Sequence, residues 1–384
     1  MKAADEQRVQ DAKKAALEVL RHNAAGPCQG LPRTAGWGYP EPYTRDLLIS
    51  ALGILASGDQ ALCAALRTVM ARLAGNQSER GSIPSLVHAP EDRGASDTTP
   101  LFLLIVGILR RLAGEPGYLE TATLKALRWM EYQSSDDRVM VTQQPTSDWR
   151  DEHWVLGHGL FVNALVYAYL KQLGHGTRAA ELQAAVNGPD DRVDLHHPVE
   201  GLSIRGRPTY AMWSYKVLRD ERCDLLGNSL AVLTGLAPRS RARKMVAWIE
   251  AECEAMRRRH ELAVALPPCF FPCVLPTDSD WRPRYALYNL PGDYHNGGVW
   301  PFVCGFYVAA LVAAGYPRLA EAKLVALAEI VRPAREAKVA FGFNEWLKAQ
   351  NGTPSGQDWQ TWSASMFLYA AACVEQQRPL FFDF

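Results

Sequence analysis

Along the chain, apolar runs of two kinds take turns. One kind confines its polar residues to a single face at the helical period; the other is apolar on every side. Residues 6–22, 60–74, 117–132, 178–185, 239–258 and 317–331 are of the first kind, with charges such as Arg67, Arg72, Lys125 and Arg128 on the wetted face. Residues 45–56, 99–112, 154–170, 224–236, 299–314 and 362–374 are of the second. Period-two alternation is almost absent, so the pattern predicts twelve helices and hardly any strand. A helix wetted on one face lies outside, and one apolar all round is enclosed. Strict alternation of the two predicts an all-α protein, an (α/α)6 barrel of six inner and six outer helices in one domain over residues 1–384. Two stacked helical bundles would share the periodicity. The longest irregular stretches, 187–219 and 266–297, are expected as rim loops over a cleft.

In such a ring the inner helices run the same way, so their N-terminal ends share one rim. The residues ahead of them are Tyr43-Thr44-Arg45-Asp46, then Ser96-Asp97-Thr98, then Ser147-Asp148-Trp149-Arg150-Asp151-Glu152 with His158 further on. Next come Arg222-Cys223-Asp224 with Asn228, and Tyr294-His295-Asn296-Gly297-Gly298-Val299-Trp300. The last set is Phe343-Asn344-Glu345-Trp346 followed by Gly356-Gln357-Asp358-Trp359-Gln360-Thr361-Trp362. Any one set reads as an ordinary N-cap. Capping does not explain tryptophans and histidines recurring at the same rim, or Arg45 beside Asp46. Six such sets converging on one mouth make a polar, aromatic-lined pocket for a small polar ligand. Indole faces stack on the C–H faces of sugar rings while amides read hydroxyls, so the expected partner is a small carbohydrate.

Composition narrows the field. The chain is 48% hydrophobic and 21% charged, ample for a large core. Formal net charge is zero and no strong basic run occurs, which argues against a nucleic-acid partner. Residues 296–316 carry no charge and are long enough to span a bilayer. They contain Pro301 and several glycines and lack flanking cations, so a buried core helix is expected and no membrane partner. Residues 1–10 are charged with no apolar leader pattern, pointing to a cytoplasmic protein. The eight cysteines are scattered; the nearest pair, Cys269 and Cys273, has no second pair at zinc spacing, so free thiols are expected. Nor do the nine histidines pair with carboxylates at ligand spacing, His196-His197 near Asp194 reading as a solvated patch. No metal and no cofactor is expected, and a homo-oligomer is left open.

Cleaving a glycosidic bond takes a protonated acid and a second carboxylate, which in inverting enzymes activates water. Glu345 lies between Phe343 and Trp346, where partial desolvation would tune its proton affinity. Asp148, Asp151 and Glu152 are three candidates for the other role. Asp151 is nearer than Asp148 to the apolar helix and is expected deeper in the ring, whereas Asp148 has the alternative of bonding its own loop. An inward-turned Arg150 would hold both aspartates ionised, so Arg150 is expected to point elsewhere.

Asp-Trp-Arg-Asp at 148–151, Tyr-His-Asn-Gly-Gly-Val-Trp-Pro at 294–301, Asn-Glu-Trp at 344–346 and Gln-Thr-Trp-Ser-Ala at 360–364 resemble the (α/α)6 inverting glycosidases. Within that group the similarity is to the amylo-α-1,6-glucosidase-like and alkaline/neutral invertase-like proteins, over residues 39–370. The resemblance implies Asp151 as general acid and Glu345 as general base. It puts Arg45 and Asp46 on the hydroxyls of the non-reducing sugar, Asp97 at the second inner helix, and His295 and Trp300 at the sugar wall. Tyr43, Asp148, Trp149, His158, Asn228, Tyr294, Asn296, Trp346, Gln357, Gln360 and Trp362 complete the expected lining. Neutral invertases usually carry Asp-Arg-Arg-Met from the acid onward; here the residues are Asp151-Glu152-His153-Trp154, so sucrose is not singled out. The implied activity is inverting, exo-acting hydrolysis of a glucosidic bond in a short α-glucoside or sucrose-like disaccharide, the carboxyls roughly 6.5–9.5 Å apart. Two other readings are a sugar epimerase or isomerase using His153, His158 and His295 as acid–base groups, and a non-catalytic carbohydrate-binding protein.

Overall fold

The computed structural model describes residues 2–134, 139–188, 193–194, 197–198, 201–216, 218–336 and 338–384. The all-round apolar runs are enclosed on every face: in the second of them, each residue from Thr98 to Leu109 is buried. The one-sided runs bury a stripe, as at Leu62, Leu66, Val69, Met70 and Leu73, the spacing of one helix face. The helices are α1 (Ala3–Asn23), α2 (Thr44–Ser57), α3 (Gln60–Gly75), α4 (Thr98–Ala113), α5 (Glu120–Tyr132), α6 (Leu160–Gln172) and α7 (Gly176–Asn187). They continue with α8 (Leu225–Leu233), α9 (Arg239–Arg258), the single turn α10 (Tyr285–Tyr288), α11 (Pro301–Ala313), α12 (Pro317–Ile330) and α13 (Thr361–Gln376).

The enclosed helices pack in a closed cycle: α2 on α4, α4 on α6, α6 on α8, α8 on α11, α11 on α13, and α13 back on α2. The amphipathic helices pack outside it, α3 on α2, α5 on α4, α7 on α6, α9 on α8, α12 on α11, and α1 across α12 and α13. Strands among the described residues are only two or three residues long. One core runs through all of this, from Val9 to Phe382. No described helix is long and apolar enough to cross a membrane, and in the uncharged stretch 296–316 the helix is limited to Pro301–Ala313.

Two local expectations need correction. The third enclosed helix starts at Leu160 rather than 154. Gly157 takes the left-handed φ +69° and pairs with Gln143, and His158–Gly159 form a strand edge against Trp213 and Ser214, so the apolar stretch before Leu160 is not helical. The stretch 187–219 is not wholly irregular, since Trp213–Tyr215 and Leu218–Asp220 form a hairpin. His196 lies outside the described residues.

Hydrogen bonds and ion pairs tie the segments ahead of the enclosed helices into one rim. Arg45 at the start of α2 pairs with Asp97 at that of α4 at 2.5 Å. The Ser96 N–H donates to Ser147 O (2.7 Å), and Arg150 pairs with Asp224 at the start of α8 (3.0 Å). The Leu225 N–H donates to Cys269 O, the Cys269 N–H to Gly298 O, and the Val299 N–H to Leu347 O. The Thr361 N–H donates to Thr34 O, closing the circle. All six N-terminal ends therefore face the same way.

Helix α2 meets α13 at Gly53, where an added Cβ would stand 1.9 Å from the Ser365 carbonyl oxygen. The obstacle is backbone and cannot swing aside. Gly53→Ala should therefore destabilise the protein by about 1–3 kcal/mol through overpacking, despite the better helix propensity of alanine. Urea denaturation checks this; a stabilised variant would mean that the two helices can part.

Candidate active site

Burial separates the carboxylates of the rim into two groups. Asp148 is fully buried, its Oδ1 accepting from the Arg150 N–H (2.8 Å) and Nε (3.2 Å), its Oδ2 from Arg150 Nη2 (2.7 Å) and Gln143 Nε2 (3.1 Å). Burial alone would raise its proton affinity, but the guanidinium and these hydrogen bonds prevail and hold its pKa at about 2. Arg150 reaches on to Asp224, also buried. The expectation that Arg150 points elsewhere fails for Asp148: the arginine turns inward and takes it. Asp148, rather than Asp151, is the deep aspartate, and it is a structural ion of the rim, not part of the sugar wall.

The second group has no such closure. Asp151 lies in a turn after the Arg150 clamp, exposed to solvent yet ringed by charged neighbours. Partial desolvation raises its pKa, Arg45 opposing and Glu152 and Asp148 adding. Glu345 is buried, and its Oε2 accepts the Gln357 N–H at 3.1 Å. Burial pushes it up to about 7 against that hydrogen bond, and the charge of Asp151 adds to the rise. Gly356, at φ +71°, makes room for this carboxyl, since a Cβ there would stand 2.3 Å from Oε2. Asp46, also buried, is pushed up to about 7 by desolvation; Arg45 opposes, and Glu345 and Asp151 both add. The phenols of Tyr39 and Tyr294 are raised by burial and then by the same two carboxylates, Tyr39 to about 12. Asp151, Glu345, Asp46, Tyr39 and Tyr294 thus share one electrostatic neighbourhood.

An aromatic wall flanks it. The Tyr294 ring stacks on His295 (4.0 Å, 26°), His295 on Trp300 (5.3 Å, 21°), and Trp149 meets His295 and Trp300 edge-on. Trp362 stacks on Phe302 at 4.0 Å, and Trp346 lies 5.8 Å from Tyr294. Tyr294 and Phe343 hold positive φ, 44° and 42°, unusual for aromatic residues and frequent where a site dictates the backbone. Among the described residues, Asp97 Oδ1, His295 Nδ1 and the indole N–H groups of Trp149 and Trp362 are buried without a hydrogen-bond partner. The wall therefore keeps polar capacity that the protein does not use itself.

Other predicted lining residues belong to the frame. Asn228 accepts the Tyr210 N–H (2.9 Å) and donates to Asp224 O (2.9 Å). Asn296 accepts the Val274 N–H (2.7 Å) and donates to Val274 O and Asn289 O. Both amides are spent on backbone and are corrected from sugar-facing to scaffold residues. Gln357 serves Glu345 through its backbone, Gln360 is buried at the start of α13, His158 is buried on its strand edge, and Tyr43 is exposed at the mouth. Tyr39 escaped the sequence reading because its segment, Gly36 to Pro40, has no carboxylate; the pair Trp37 and Tyr39 was the available signal. No group of three or more metal-ligating side chains occurs among the described residues.

A family description, alkaline and neutral invertase, matches residues 217–377. Cytosolic invertase 1 of Oryza sativa subsp. japonica is 27% identical over 170 residues, 42% of this chain and 27% of that protein. Probable alkaline/neutral invertase F of Arabidopsis thaliana is 30% identical over 165 residues, 41% of this chain and 30% of that protein. The matched segment thus spans less than a third of either relative. In structure, the GH63 mannosylglycerate hydrolase from Thermus thermophilus, in complex with Tris and D-glycerate, superposes with a TM-score of 0.68 at 15% identity, covering 93% of this chain and 99% of that one. A wild-type glycosidase gives a TM-score of 0.62 at 18% identity over 97% and 98%. The fold is therefore the helical barrel of these proteins, and the sequence similarity runs to the invertases, as the motifs imply.

A raised carboxyl costs stability once it ionises. Glu345 titrates near 4.5 when unfolded and near 7 when folded, so its penalty is absent below pH 4.5, grows to pH 7 and is then constant. Glu345→Gln should therefore stabilise the protein by up to about 3 kcal/mol more at pH 8 than at pH 4.5. Urea titrations at both pH values check this, and equal differences would mean that Glu345 has an ordinary proton affinity.

Proposed function

We propose that the chain is a single (α/α)6 catalytic domain, the packing cycle being its inner ring, and that it is an inverting, exo-acting glycoside hydrolase. The bond cleaved is a glucosidic one in a short sugar, an α-glucoside or sucrose-like disaccharide. The observation that carries this reading is the pairing of Asp151 with Glu345. Both have raised proton affinities, both act on Tyr39 and Tyr294, and neither, among the described residues, is closed off in an arginine pair, unlike Asp148.

Asp151 gives its proton to the glycosidic oxygen as the bond to the anomeric carbon breaks. Glu345, held by the Gln357 N–H, takes a proton from the water that attacks the opposite face, so the configuration inverts. Asp46 and Arg45, the latter fixed by Asp97, are placed to take hydroxyls of the non-reducing sugar, and Tyr294, His295 and Trp300 to carry its apolar face. The eight cysteines are all free, which suits the reducing cytoplasm.

The epimerase alternative draws on histidines that do not suit it. His153 is buried and its pKa falls to about 3, by desolvation first and Arg150 second; His295 is lowered too, by desolvation and then by His153. Such imidazoles stay neutral at physiological pH. A site that only binds sugar gains nothing from two carboxyls that repel each other. One observation favours exchanging the two catalytic roles: Glu345 is the more strongly raised.

A release assay over sucrose, maltose, isomaltose, trehalose, kojibiose and glucosylglycerate, with the product anomer followed by NMR, tests the reading. One of these should be cleaved with inversion, and Asp151→Asn and Glu345→Gln should each lose about 10²-fold or more in kcat while staying folded. Retained configuration, or near wild-type turnover by either variant, would overturn the assignment. On a glycosyl fluoride, whose leaving group needs no proton, the variant lacking the acid keeps activity and the one lacking the base does not, which decides the roles.

A further inference from the structure

The turn that carries Asp151 is neither helix nor strand, so the aim of its carboxyl depends on what holds its neighbours. On one side it follows the Arg150 clamp, and the His153 N–H closes the turn onto Arg150 O at 3.1 Å. On the other side every residue from Glu152 to Trp154 is gripped by a segment, Arg282 to Asn289, at least 128 positions away in sequence. The Trp154 N–H donates to the hydroxyl of Tyr285 at 2.9 Å. Asn289 Nδ2 donates to the Glu152 carbonyl at 2.8 Å. Two guanidinium nitrogens of Arg284 bond both carboxylate oxygens of Glu152. The His153 ring meets the Tyr285 ring edge-on at 5.5 Å, and the Arg282 guanidinium lies 4.9 Å over the Trp154 ring.

We propose that Tyr285, Asn289 and Arg284 are positioning residues for the acid, fixing the backbone of residues 152–154 so that Asp151 is aimed while its own carboxyl stays unclamped. This rests on the reading of Asp151 as general acid. Tyr285 is 3% exposed and Asn289 1%, so both come from a rigid base, and Asn296 Nδ2 bonds the Asn289 carbonyl at 2.9 Å. That last bond joins the acid's support to the loop of Tyr294 and His295, so acid and sugar wall share one frame. The Arg284 side chain, by contrast, is 64% exposed. An ion pair so open to water adds little to stability, yet it sits on the residue next to the acid, where a small displacement of the reacting group is costly.

The test compares sucrose with α-D-glucosyl fluoride in the whole protein carrying Tyr285→Phe, Asn289→Ala or Arg284→Ala. Phenylalanine keeps the ring packing and removes only the hydroxyl, and Arg284→Ala removes a solvent-facing pair, so at least these two should fold. If the segment aims the acid, kcat on sucrose falls by about 10- to 100-fold with KM nearly unchanged, while turnover of the fluoride, which needs no acid, stays within about threefold of wild type. Equal losses on both substrates, or no loss on sucrose, would overturn the proposal and leave the contacts a merely structural role. An unmodified protein that turns over the fluoride but not sucrose leaves the hydrolase reading standing and moves the same comparison to maltose. If it turns over no glycoside at all, the hydrolase reading falls, and this proposal with it.

Discussion

Arg150 sits without solvent contact between Asp148 and Asp224, and the rim is arranged around that one cation. It joins the segment before α6 to the start of α8, so two members of the packing cycle share a charge. Removing one partner from a buried ion pair typically costs about 3–5 kcal/mol, because the remaining charge is stranded. The arginine also partitions the carboxylates. By consuming Asp148 it leaves Asp151, three residues on, without a counter-ion of that strength. A deep ion pair and an unpaired acid are thus two results of one placement.

The opposite economy holds on the open side. Asp46, Asp151 and Glu345 repel one another at the mouth; Arg45, itself bound to Asp97, tempers the two aspartates, and the Gln357 N–H and Arg335 temper Glu345. Such an arrangement stores unfavourable electrostatics that the packed ring must sustain. The positive φ values at Tyr294 and Phe343 fall in the same loops, so backbone strain and charge repulsion are concentrated where the chemistry is proposed.

The alternation of one-sided and all-round apolar runs made the helices and their layers readable, because burial acts on whole faces and leaves a periodic trace. The motifs place Asp151 and Glu345 ahead of enclosed helices, and the two carboxyls share one electrostatic neighbourhood. Other features leave no such trace. Whether an amide at a helix entrance meets a sugar or a neighbouring backbone depends on loops far away in sequence, as with Asn296 and Val274. Arg150 had two flanking aspartates to choose from, and its second partner, Asp224, enters only through the packing of α6 on α8. The expected helix reaches too far ahead of Leu160 because apolarity continues through Trp154 and Val155, while Gly157 turns through a left-handed φ of +69° and Gly159 is extended. Tyr39 was missed because a phenol without charged neighbours looks like an ordinary surface aromatic.

The seam between α2 and α13 has a consequence for synthesis. The Ser365 hydroxyl donates to Ser50 O, and beside the seam Asn23, at the end of α1, donates to Thr361 Oγ1 at 2.9 Å, contacts that span more than 300 residues. Helices emerging early from the ribosome therefore wait, with an apolar flank uncovered, until the segment carrying Glu345 and then α13 has been translated. Contacts so distant in sequence slow folding and expose intermediates to aggregation. Apolar flanks left open in this way are what chaperones cover, and Asp151 and Glu345 come together only once α13 has closed the ring.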